Sequence, residues 1–174
     1  MKKSFTTGRL VRCGLITALY VTLCMAFQPL SFGAVQVRFA EALALLPVFG
    51  PEYITAVVLG CLLSNILFSV LPDVIFGTFA TLLSCIVTYK LRNKRMWGLA
   101  LPAAIPPIVF NAFIVGPEIA IFFSNGPATL PIMVFNGISV AIGEVIACGI
   151  LGVALVKLIE QNPALNRLFT DKRK

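Results

Sequence analysis

The chain contains no histidine. That removes His-based acid/base catalysis and every His-ligated metal site. Charge is scarce too: 12% of its 174 residues are charged, about half the share of a soluble domain. No GxSxG, HExxH or Cys/His pair occurs, so common hydrolase chemistries have no residues to run on. No GxxxxGKS or GxxxxGKT run occurs either, so this chain does not hydrolyse ATP by itself. Its five cysteines (Cys13, Cys24, Cys61, Cys85, Cys148) show no CxxC spacing and read as small buried hydrophobes, with no disulfide and no metal site expected.

What is present is apolar: 59% hydrophobic residues and a mean hydropathy of +0.96. The expectation is an all-α integral membrane protein. It forms one unit over residues 1–160, followed by a basic tail at 161–174. The net charge of +7 is concentrated in three places. Lys2, Lys3, Arg9 and Arg12 precede the first apolar run. Lys90, Arg92, Lys94 and Arg95 form a second cluster. Lys157, Arg167, Lys172, Arg173 and Lys174 form the third. The positive-inside rule explains these clusters, with contact to anionic headgroups, and nucleic-acid binding is not implied. The basic start resembles a signal peptide, but its apolar run is too long, so the segment should stay attached.

The first span centres on Gly14–Phe27. Gly14, Ala18, Thr22 and Ala26 recur every four residues, a stripe that lets another helix approach closely, inside this bundle or outside it. Pro29 and Gly33 place a loop over residues 28–37, apolar enough for a lid. Phe39–Phe49 is apolar but short, an α-helix of about 16 Å at 1.5 Å per residue. Spans follow at Tyr53–Leu71, Asp73–Tyr89, Leu99–Ile114 (interrupted by Pro102, Pro106 and Pro107) and Leu130–Ile159, with a loop at Gly116–Thr129. Charge parity counts the short segment as a separate crossing, because residues 90–95 would otherwise lie outside. The result is six transmembrane helices with both termini in the cytoplasm. No internal repeat is visible, which argues against a self-sufficient inverted-repeat architecture.

Polar groups inside the apolar segments are the candidate site, since an intramembrane ionisable group costs about 2.5–3.5 kcal/mol on insertion scales. Arg38 and Glu41 would share a helix face, with Arg38 orienting Glu41. Asp73 starts a helix and reads equally as an N-cap. Glu52 caps a helix at the cytoplasmic side, and Glu118 reads as solvated in an outer loop. Glu144, far inside the last helix, must face the bundle interior. Asn65, Asn111 and Asn136 add donors and acceptors, although any one of them alone could simply bond a neighbouring helix. Together these groups suit a small molecule with several N–H donors, or a cation.

The segments SFGAVQVRFAEALALLP (31–47), GCLLSNIL (60–67), DVIFGTFATLL (73–83), NAFIVG (111–116) and IGEVIACGILG (142–152) resemble, in order, the signature of the QueT family. The resemblance implies a substrate-binding (S) component of an energy-coupling factor (ECF) transporter with a six-helix fold. The implied substrate is a queuosine precursor, a 7-deazaguanine such as preQ0, preQ1 or queuine. It implies as partners a transmembrane coupling subunit and two cytoplasmic ATPases, with no cofactor in this chain. Docking would fall on Gly14, Ala18, Thr22 and Ala26, and residues 28–37 would be a lid. The base edge would go to Glu144 or Glu41, with Asn111 and Asn136 nearby, and an aminomethyl cation to Asp73. Transport would proceed by toppling of the S component in the membrane. An S component for another vitamin or nucleobase, a small intramembrane enzyme using Glu144 or Asp73, and a purely structural protein remain alternatives.

Overall fold

The computed structural model describes residues 7–28, 38–123 and 127–170. The lid expected at 28–37 therefore lies, but for its first residue, outside the described residues, as do Lys2, Lys3 and residues 171–174. The described chain is helical, and its only β-type pairing is an isolated bridge between Met96 and Leu99. Helix α1 spans Thr7–Ala26, α2 Glu52–Phe68, α3 Leu71–Lys90, α4 Leu101–Phe122 and α5 Leu130–Glu144. A π-helical segment, Val145–Gly152, joins α5 to α6 at Val153–Gln161, and α7 covers Pro163–Phe169. Among the described residues four helices are long and apolar enough to cross a membrane: α1, α3, α4 and the continuous run Leu130–Gln161. Two shorter apolar helices, Phe39–Val48 and Glu52–Phe68, accompany them.

The short apolar segment is a 3-10 helix, Phe39–Val48, rather than an α-helix. At about 2.0 Å per residue its ten residues span about 20 Å, further than the α-helical reading allowed. Every face of it is apolar except at Glu41, and a helix apolar all round must be enclosed by protein or lipid. Here protein does it: eight of its ten residues are buried, against α1, α2, α3, α4 and the π segment. It is the axis of the bundle. The Phe27 and Phe39 rings, 4.8 Å apart, close the end of α1 onto its start.

Helix α1 is the opposite case. It buries Ile16, Tyr20 and Cys24, four residues apart, along one face. The Gly14, Ala18, Thr22 and Ala26 stripe lies on the exposed face, and a Cβ added at Gly14 would meet nothing within 4 Å. The small residues therefore do not pack within this bundle.

Two expected boundaries move. Helix α4 runs unbroken past Pro106, Pro107 and Pro117 to Phe122, where the sequence suggests a loop from Gly116. Proline is tolerated in membrane helices because neighbours re-satisfy the backbone groups it frees. Helix α5 crosses α4 so closely that a Cβ at Gly116 would lie 2.5 Å from the Gly137 Cα, so only glycine fits there. The segment after residue 160 is not merely a polar tail. Asn162 caps α7 by accepting from the Ala164 and Leu165 amides, and Phe169 packs its ring against Phe49 and Tyr53.

The basic residues gather at one end. Arg9 pairs with Glu52 at 3.7 Å, in the first turn of α2, and Arg95 pairs with Glu160 at 2.5 Å. Arg12 donates to the Leu168 carbonyl. The exposed Trp97 sits in the turn of the same basic loop.

Candidate functional site

The polar residues of the apolar segments converge into two adjoining groups. In the first, Arg38 donates to Asp73 Oδ2 at 2.5 Å and to Asn65 Oδ1 at 3.4 Å. Ser69 donates to the same Asp73 oxygen at 2.7 Å, and Asn65 Nδ2 donates to the Asp73 carbonyl at 2.9 Å. All but Ser69 are buried. Gly77 makes room for this arrangement: a Cβ there would come within 2.6 Å of Asp73 Oδ1 and 3.1 Å of Asn65 Nδ2.

This corrects two expectations. Arg38 pairs with Asp73, not Glu41. Arg38 precedes the 3-10 helix in an extended conformation (φ −87°, ψ 93°), so the shared-face argument for an α-helix does not apply to it. Asp73 is not an N-cap either. Val70 holds that position without a side-chain bond, and Asp73 sits in the first turn with its carboxylate turned to Arg38.

The second group surrounds two carboxylates. Tyr20 of α1 donates to Glu41 Oε1 at 2.5 Å, with the Thr81 hydroxyl at 3.5 Å from the same oxygen. Asn111 of α4 donates to Glu144 Oε1 at 2.6 Å. The Cys148 thiol lies 3.3 Å from Glu144 Oε2 and 3.0 Å from the Glu41 carbonyl. Glu41 Oε2 is buried with no hydrogen-bond partner among the described residues. Among the described residues both carboxylates thus accept only from neutral donors, although a carboxylate offers about four lone-pair sites. The ligand-capable atoms of Glu41, Glu144 and Cys148 all lie within 4.8 Å of one another. Such a trio could hold a cation, but the thiol is already engaged as a donor and Glu144 is bonded through both oxygens.

A cavity of about 10 Å³ touches Glu144, Asn111 and Arg38, with Val115 and Val140 completing its wall. That is about one water, far below the roughly 300–1,000 Å³ of ligand pockets. A solute larger than water enters only if these side chains part. A second cavity, about 370 Å³, lies between α4 and α5 against Phe113, Leu130, Met133 and Val134. Its walls are almost wholly apolar and include the exposed Phe113 and Leu130, so it offers a polar solute nothing to bond.

Of the residues singled out in the sequence, Arg38, Glu41, Asn65, Asp73, Asn111 and Glu144 come together. Asn136 does not: it is half-buried and makes no side-chain hydrogen bond among the described residues. Glu118 is corrected outright. The extension of α4 carries it into the bundle, 3% exposed, instead of into a solvated loop. Sequence reasoning passed over Tyr20, Thr81 and Ser69. For Tyr20 there was a signal, since its spacing of four from Ile16 and Cys24 marks one buried helix face.

Known proteins bear on this arrangement. A curated relative from Lactococcus lactis subsp. cremoris (strain MG1363), "Queuosine precursor transporter QueT", is 40% identical over 104 residues. The match covers 56% of this chain and 61% of the relative, so the chain spans less than two thirds of that protein's length. No solved structure matches the chain. The QueT transporter family model matches residues 10–161, through every element that carries the two polar groups, and the chain belongs to that family.

Proposed function

We propose that this chain is the membrane-embedded substrate-binding subunit of an ECF-type importer for a queuosine precursor, a 7-deazaguanine base. The observation that carries the reading is the Glu41–Glu144 pair: two buried carboxylates from separate elements, bonded among the described residues only to neutral donors, in a chain of this family. A 7-deazaguanine presents a ring N–H and an exocyclic amine side by side. One carboxylate can accept both in parallel, and charge-assisted bonds of this kind are the strong ones. Glu144 is the proposed acceptor, with Asn111 beside it for the carbonyl or ring nitrogens and Glu41 Oε2 as a further acceptor. Arg38, locked to Asp73 and Asn65, serves as a wall rather than as a base reader. Asn136 is not needed.

The short 3-10 helix and α2 count as crossings in this reading. That gives six membrane helices forming one domain, with both termini and the basic end in the cytoplasm under the positive-inside rule. The polar groups then face the outer half, and solute enters from outside. The exposed stripe Gly14, Ala18, Thr22 and Ala26 is the proposed docking face for a transmembrane coupling subunit. Two cytoplasmic ATPases supply the energy, this chain holds no cofactor, and release follows toppling against the coupling subunit.

The test is equilibrium binding of a labelled 7-deazaguanine to the purified protein. Competition by unlabelled 7-deazaguanines but not by biotin, riboflavin or thiamine is expected. Displacement by one of those vitamins, or a chemically altered ligand on recovery, would overturn the reading.

A further inference from the structure

Glu118 stands apart from the other buried acids. It is 3% exposed, and neither carboxylate oxygen has a hydrogen-bond partner among the described residues. Isolating a carboxylate this way is costly unless something compensates. Its position shows what that could be. Asn111, Val115 and Glu118 fall at i, i+4 and i+7 on α4, so they share one face. Asn111 and Val115 of that face line the cavity beside Glu144. Glu118 continues the face, about 10 Å along the axis from Asn111 and about 5 Å beyond Val115. Arg38 and Asp73 are the charged groups whose fields reach it. Asp73 is already committed, to Arg38 and Ser69. No described residue donates to either Glu118 oxygen, so both are left for an incoming donor.

We propose that Glu118 is the subsite for a cationic arm of the substrate, namely the protonated aminomethyl group of a 7-deazaguanine whose base edge lies at Glu144 and Asn111. This rests on the base-binding reading above. The arm leaves the five-membered ring, away from the edge that carries the paired N–H donors. A ligand lying along the α4 face meets an acceptor at each end. A neutral nitrile in place of the amine leaves Glu118 without a donor, so the site discriminates by charge.

The experiment measures affinities of the aminomethyl and nitrile 7-deazaguanines for the detergent-purified full chain and for E118Q and E118D. The wild type should prefer the amine by about tenfold or more, as a charge-assisted bond in a buried site implies. E118Q should abolish that preference while keeping nitrile affinity within about threefold of wild type, which also shows that the variant folds. E118D should retain part of the preference. Equal loss of both ligands in E118Q, an unchanged ratio, or a wild type that does not discriminate overturns the inference and leaves the base-binding reading standing. A wild type that binds neither compound overturns both.

Discussion

Two arginine–carboxylate pairs in this molecule have the same N–O distance, 2.5 Å, and opposite surroundings. Arg38–Asp73 has side chains 8% and 4% exposed, and Arg95–Glu160 has 29% and 32%. The exposed pair belongs to the basic end and trades water for water. The buried pair is held in place by Asn65 and Ser69 and adjoins two carboxylates, Glu41 and Glu144, that form no ion pair among the described residues. Equal geometry therefore carries unequal consequences. Around Arg38 the charge balance is set inside the bundle by a few named atoms, and one more donor-rich molecule would change it.

The largest effect should come from breaking the buried pair. Asp73→Asn removes the carboxylate that Arg38 pairs with inside the bundle, and breaking a buried pair in this way costs about 3–5 kcal/mol. Replacing both partners, Arg38→Met with Asp73→Leu, should recover most of that. Thermal unfolding in detergent, followed by labelling of the buried Cys61 and Cys85 thiols, reads both variants. Glu144→Gln should behave differently: little change in unfolding, but about a hundredfold weaker binding of a 7-deazaguanine, because a carboxylate that accepts two N–H bonds is lost. Equilibrium binding measures that. Tyr20→Phe removes one donor from Glu41 and should cost about 1 kcal/mol of stability, since Thr81 stays close to the same oxygen. Arg95→Ala should cost no more than about 1 kcal/mol and be insensitive to ligand, as exposed pairs are. If Arg95→Ala destabilised as much as Asp73→Asn, burial would not be the distinguishing variable.

Much of this was legible in the chain. The helical class and the convergence of Glu41, Asp73, Asn111 and Glu144 follow from hydropathy and the scarcity of charge. The misreadings share a cause: local rules met a tertiary environment that overrode them. Pro106 and Pro107 pointed to an interrupted span, and the stretch from Gly116 pointed to a loop with Glu118 in water, yet packing keeps α4 continuous and Glu118 inside. FAEALALLPV reads as α-helix by composition, yet it winds as a 3-10 helix, and that set Arg38 in extended backbone facing Asp73. No sequence signal separates those two windings in an apolar run, because their difference lies in how neighbours enclose it.

The π segment has a consequence for how this chain can vary. Within one continuous helix it keeps Glu144, Ala147 and Cys148 turned inward, and further along Val153, Val156 and Ile159 are turned inward too. Each turn of i→i+5 bonding takes up about one residue more than an α turn. Deleting a single residue between 145 and 152 would rotate one half of the helix by about 100° against the other. The helix would then have to expose either its acid or its apolar seam. Substitutions at its exposed positions, Ile146 and Ile150, can be absorbed, whereas changes of length are a matter of phase and cannot.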